Sequence, residues 1–232
     1  MQRLIVTSTY FVGSPSQATV TVQDTDPLSA NVVVAAINGP SGIDYHPVNT
    51  SLIISRNDTS GTEKNFKRLA SNGFVSDWST ASGLGFTNPN GNAGELKVGI
   101  VQTTADNWTQ GDLYFGPGQP GKIGKITANA SSVNTDWATL TNSTQMVGET
   151  DPFMGGFYID QTGVFGGDLI AVSSGGVWRV TASTNAMKLA QINDSNGNGI
   201  SLEGLVTVPN ESSEYGPWAS ARSFGIGALW RT

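Results

Sequence analysis

The sequence predicts an all-β chain built from blade-like repeats, a small β-propeller of about five blades or an incomplete ring. Three observations carry this. Glycine (29) and proline (10) are abundant while charged residues make up only 13% of the 232 residues, a composition suited to many short strands joined by tight turns. Helical periodicity is scarce, and short apolar alternations recur in its place. The chain is also self-similar at a spacing of about 40 to 50 residues, the length of one propeller blade.

Residues 1–36 contain the strand-like stretches Leu4–Thr7, Ala18–Val22 and Asn31–Val34, and are expected to form a degenerate N-terminal blade. Clear repeats run from 37 to 210. Each opens with a glycine followed by alternating apolar residues: Gly42-Ile43-Asp44-Tyr45, Gly83-Leu84-Gly85-Phe86, Gly156-Phe157-Tyr158-Ile159 and Gly204-Leu205-Val206-Thr207. These openings lie 41, 73 and 48 residues apart, so the long interval has room for an insertion or for a second, degenerate opening around Gly94–Val98. The four glycines are expected on inner strands, where the crowded axis demands small side chains. Two further strands follow. Gly111-Asp112-Leu113-Tyr114 leads to Gly121–Ala128, Gly167-Asp168-Leu169-Ile170 leads to Gly175–Ala182, and Ser51–Ile54 leads to Phe66–Ala70, which puts Arg68, Lys125 and Arg179 at one repeat position. Asp77-Trp78, Asn107-Trp108 and Asp136-Trp137 recur downstream, each an exposed-type residue beside a large anchor.

Packing explains why such units become a propeller. One blade cannot bury both faces of its sheet, whereas blades stacked around an axis bury the interior faces and leave only short edges. The tail 211–232 does not continue the pattern, and either closes the ring irregularly or belongs to a longer propeller. The whole length, 1–232, is compatible with one domain.

In its Gly-plus-apolar openings and Gly-Asp-Leu strands, over residues 40–210, the chain resembles secreted bacterial propellers of the gluconolactonase-like and NHL-like type. The resemblance implies a propeller fold. It also implies a metal-ligating Glu-Gly at an inner strand, matched in residue type by Glu203-Gly204, although at a later blade than in those proteins.

Composition excludes several functions. A net charge of −6 and a pI near 4.6 disfavour nucleic acid and anionic membrane, which need clustered Lys and Arg. Lys64, Lys67 and Arg68 read as a solvated strand face. Without cysteine there is no disulfide, thiolate nucleophile or Cys-ligated metal. Met1–Ser8 lacks the apolar run of a signal peptide, and no 18 apolar residues run together. The Asn/Ser/Thr/Gly-rich composition points to a secreted protein. The sequons at Asn49, Asn57, Asn107, Asn129, Asn142 and Asn210 follow from that composition and need no glycan.

Three constellations could carry chemistry. Asp194-Ser195-Asn196-Gly197-Asn198-Gly199 places oxygens of Asp194, Asn196 and Asn198 at alternate positions, as a Ca²⁺ loop does. Position 12 falls on Leu205, with Glu203 two residues early, and a polar hairpin turn is the competing reading. Glu149, Asp151 and Glu203 precede inner strands, where they could hold Ca²⁺ to polarise a carbonyl or act as an acid and base pair. His46, the one histidine, follows an inner-strand opening; it is a candidate catalytic base, or else a turn-exposed imidazole. Trp78, Trp108, Trp137, Trp178 and Trp218 fit inter-blade packing, with sugar stacking as the alternative. Two functions are therefore expected to compete. One is a metal-assisted hydrolase of lactones, esters or glycosides at the channel mouth. The other is a secreted module binding carbohydrate, another small molecule or a cell surface.

Overall fold

The computed structural model describes residues 37–56, 65–78, 97–104, 107–117, 121–141, 156–173, 175–200, 202, 204–207 and 224–225. Residues 1–36, the opening at Gly83, and all of the tail except 224–225 lie outside the described residues. Every regular element among them is a strand, and no helix is long and apolar enough to cross a membrane.

Three four-stranded antiparallel meanders follow one another. Blade 1 comprises β1 (Pro40–His46), β2 (Ser51–Arg56), β3 (Phe66–Leu69) and β4 (Val75–Asp77). Blade 2 comprises β5 (Val98–Ile100), β6 (Leu113–Phe115), β7 (Lys122–Ile126) and β8 (Val133–Thr139). Blade 3 comprises β9 (Phe157–Ile159), β10 (Leu169–Val172), β11 (Gly176–Val180) and β12 (Ala186–Gln191). A further pair, β13 (Val206–Thr207) and β14 (Phe224–Gly225), is antiparallel. The first strands lie side by side, β1 against β5 and β5 against β9, which is the radial arrangement of a β-propeller.

The strand registers superimpose the repeats. Ile53, Tyr114 and Ile170 on the second strands pair with Arg68, Lys125 and Arg179 on the third, so the three cations do share one position. First strands begin at 40, 98, 157 and 206, intervals of 58, 59 and 49 residues. The first two exceed the expected blade spacing because links separate the sheets, whereas the blades proper span only 40–77, 98–139 and 157–191. The opening of blade 2 is the stretch noted as degenerate, ending at Val98.

Alternation within a strand serves two cores at once. Leu113 and Phe115 join Ile53, Phe66 and Trp78 between blades 1 and 2. Tyr114 faces the other way and joins Trp108, Leu169, Ala171 and Trp178 between blades 2 and 3. Ile170 and Val172 then enter a third core with Val177 and Leu202. Trp137 packs against the second of these cores, so the described tryptophans serve packing. Asp77 and Asp136, beside two of them, pair with Lys67 at 2.6 Å and Lys122 at 2.8 Å. Asn107-Trp108 is not a third copy: it lies in the β5–β6 connection rather than on a fourth strand.

Gly42 lies on β1 and Gly156 immediately before β9, as expected. The crowding argument fails at Gly204, where an added Cβ would meet nothing within 4 Å. The crowded position is Gly99 on β5. A Cβ there would stand 2.7 Å from Phe157 Cβ and 3.1 Å from its carbonyl oxygen, so only glycine lets these two inner strands approach.

Candidate functional site

The last residue of each inner-strand segment occupies one repeat position: His46 pairs with Ser51, while the N–H groups of Val101 and Asp160 bond the carbonyls of Asp112 and Asp168, each at 3.0 Å. Three connections therefore leave the inner strands at corresponding points, at 47–50, 102–111 and 161–167. Their bases are braced by the repeated third-strand cation. Lys125 Nζ meets Asp112 Oδ2 at 2.6 Å, Arg179 Nε meets Asp168 Oδ2 at 2.5 Å, and Arg68 Nε donates to Ser51 Oγ at 3.2 Å.

The second and third connections enclose a cleft of about 570 Å³ lined by Gln102, Thr103, Trp108, Ile159, Asp160, Gln161 and the glycines 163, 166 and 167. Trp108 is anchored edge-on to Tyr114, ring centroids 5.4 Å apart, and forms an apolar wall. Asp160 shapes the facing loop. Its Oδ1 accepts from Thr162 N at 2.9 Å and Thr162 Oγ1 at 2.6 Å, and its Oδ2 accepts from Phe165 N at 2.6 Å and Gly167 N at 3.3 Å. Burial alone would raise the pKa of this carboxyl, but the four donors outweigh burial and hold it below the ordinary value of 3.8. Asp160 is the one ionisable group of the lining, and its acceptor capacity is used by its own loop. Gln102 is tied to blade 1, its Nε2 donating to Tyr45 O at 2.9 Å and to Ile100 O at 3.0 Å.

The site residues expected from sequence are not gathered here. Glu149, Asp151 and Glu203 lie outside the described residues. His46 is fully buried between blades 1 and 2 rather than exposed in a turn; its Nδ1 accepts from Asn49 N at 3.2 Å and its ring packs on Trp78, centroids 5.5 Å apart. Burial, with the nearby Arg68 charge adding to it, keeps the imidazole below 6.5. Asp194, Asn196 and Asn198 form the tip of a hairpin bridged by Asn193 and Gly199. Asp194 Oδ1 accepts from Asn196 N and Asn198 N, each at 2.8 Å, and Gly197 turns with φ +84°. Among the described residues no three His, Asp or Glu side chains converge.

Sequence reading missed Gln102, Thr103, Asp160 and Gln161. A usable signal was present in Asp160-Gln161-Thr162-Gly163, where an Asp two residues before Thr and ahead of glycines is an Asx-turn pattern.

Fold and cleft together define a β-propeller with a pocket between the connections of successive blades. The chain is similar to an auxiliary nutrient binding protein from Bacteroides ovatus, with TM-score 0.51, 9% identity, and coverage of 82% of this chain and 42% of that one. A second such protein, from Bacteroides thetaiotaomicron, gives TM-score 0.50, 10% identity, and coverage of 76% and 40%. Virginiamycin B lyase from Staphylococcus aureus gives TM-score 0.36 and 13% identity over 72% of this chain and 59% of the lyase. The chain thus spans less than two thirds of the length of each. No family model matches it, and no curated protein matches it in sequence.

Proposed function

We propose that the chain is a ligand-binding propeller module whose cleft between blades 2 and 3 takes a small, uncharged, hydroxyl-rich molecule of the carbohydrate kind. The observation that carries this reading is the saturation of Asp160. A carboxylate with four donors on its two oxygens is a poor general acid or base, since protonating it would break the loop that holds it. What remains in the lining is two carboxamides, one hydroxyl, glycine backbone, Ile159 and Trp108. Such a surface offers hydrogen bonds beside an apolar wall, with no cation to attract an anion. The fold is shared with proteins described as nutrient binding, which agrees with a small-molecule ligand.

The hydrolytic alternative draws on Glu149, Asp151 and Glu203, with Ca²⁺ at the Asp194 hairpin, and is separated from binding by experiment. A glycan and polyol binding screen is run beside lactone, aryl-ester and aryl-glycoside turnover, each with Ca²⁺ and with chelator. Saturable binding without turnover is expected. Gln161→Ala and Thr103→Ala are each expected to weaken that binding about fivefold to tenfold, one hydrogen bond's worth, without lowering the melting temperature. Chelator-sensitive turnover lost in Glu149→Gln or Glu203→Gln would replace this reading with the hydrolase.

A further inference from the structure

Gln102, on the cleft wall, is fastened to the carbonyl of Tyr45, and Tyr45 immediately precedes His46, the chain's one histidine. The neutral His46 ring accepts the Asn49 N–H at Nδ1, so its own proton sits on Nε2, which is buried and has no hydrogen-bond partner. The site is full: a Cβ on Gly111 would stand 3.0 Å from His46 Cε1. The charged groups around the ring come from each side. Arg68 on β3 donates to Ser51 Oγ and, at 3.4 Å, to Asn49 O. From blade 2, Asp112 is engaged by Lys125 and, at 3.0 Å, by Ala128 N. On β1 itself, Asp44 accepts from Ile100 N and Tyr45 N, both at 2.7 Å. Neither carboxylate bonds the imidazole.

We propose that His46 is an acid-sensitive latch that regulates the cleft through Tyr45 and Gln102. This rests on the reading of the cleft as a binding site. A second proton would arrive on Nδ1, where it meets the Asn49 N–H donor to donor, and the new cation would lie beside Arg68 in a packed site without an acceptor. Relief requires residues 45–50 to shift, and the Tyr45 carbonyl is the anchor of the Gln102 carboxamide. Acid therefore frees Gln102 Nε2 and alters the polar lining of the cleft. Burial holds the ring below 6.5, which places the transition on the acid side of neutrality.

The test is NMR of the full chain without ligand, following His46 Cε1–H, the Asn49 amide and the Gln102 side-chain amide from about pH 7.5 to about 4.5. All three are expected to move with one midpoint below 6.5 while the fold persists. Gln102 signals that stay still through the imidazole midpoint, or an imidazole titrating at its ordinary value with Asn49 unmoved, would overturn the latch. His46→Gln should remove the midpoint from Gln102; if that variant does not fold, coincidence of the three midpoints in the parent decides. A ligand found in the binding screen should lose affinity several-fold through the same midpoint. Failure to find any ligand sinks the binding function of the cleft and leaves the NMR result to judge the latch.

Discussion

Thr184 and Ala130 adopt φ +70° and +53° at matching places in the hairpins that join third to fourth strands, where blade 1 has Gly73 at +82°. The matching bonds confirm the equivalence: the N–H groups of Gly73, Ala130 and Thr184 donate to the carbonyls of Ala70, Thr127 and Thr181 at 2.9, 2.7 and 2.9 Å. A left-handed L residue costs about 1 to 2 kcal/mol, offset in part by the flexibility of glycine in the unfolded chain. Thr184→Gly is therefore expected to stabilise by up to about 1 kcal/mol in urea unfolding, and Gly73→Ala to destabilise by a similar amount. His46 makes a second prediction at this scale. Its folded pKa is lowered from 6.5, so the unfolded chain binds the proton first as pH falls. The stability it contributes is full above 6.5 and declines below that value, by at most about 1.4 kcal/mol per pH unit for one proton. Asp44 acts oppositely. Burial raises its folded pKa above 3.8 against the bonds from Ile100 and Tyr45, so its contribution is lost as pH rises through the window above 3.8. Urea midpoints should therefore fall between about pH 7 and 5.5, and His46→Gln should flatten that slope.

At the scale of single elements, the inner strand β5 depends on Gly99. Gly99→Ala would force β5 away from β9 and is expected to cost about 1 to 3 kcal/mol, an overpacking penalty measurable by thermal melting. The Asp194 hairpin is closed by its own backbone bonds to Oδ1, and the calcium reading is tested on it directly. An increment in melting temperature with millimolar Ca²⁺, abolished by Asp194→Ala, would support the ion, because binding to the folded state alone stabilises it. Equal melting with Ca²⁺ and chelator would refute it. Strand pairs were legible in the sequence because Gly-Asp-Leu and the third-strand cation repeat with their register intact. The opening of blade 2 was less so, because its glycine is called for by the approach of Phe157, a contact across 58 residues that no local pattern displays.

For the whole molecule, the repeats and turn residues were enough to indicate a propeller, since blade packing follows from the alternation of each strand. The cleft was hidden for a physical reason. It exists only where the connection after β5 meets the connection after β9, and each alone is an ordinary polar, glycine-containing loop. His46 likewise read as exposed because it precedes Pro47, a turn signal, while the residues that bury it, Trp78, Gly111 and Ala128, come from other parts of the fold. Leu169 lies fully buried in the core shared by blades 2 and 3. Leu169→Ala should cost about 2 to 5 kcal/mol and weaken ligand binding at the cleft above it, a coupling that differential scanning calorimetry and the binding screen would read together.

The repeated cation has a consequence for how the strands find their partners. A strand buried on one face is held in register by polarity, because slipping one residue turns its apolar side to water. Strands β6 and β10 have apolar neighbours on both faces, so a slip would exchange one greasy surface for another and only shape would resist it. Asp112 with Lys125, and Asp168 with Arg179, sit at the starts of these strands and can meet in a single alignment. They act as keys cut into otherwise smooth edges, excluding misaligned hairpins while the chain is still assembling.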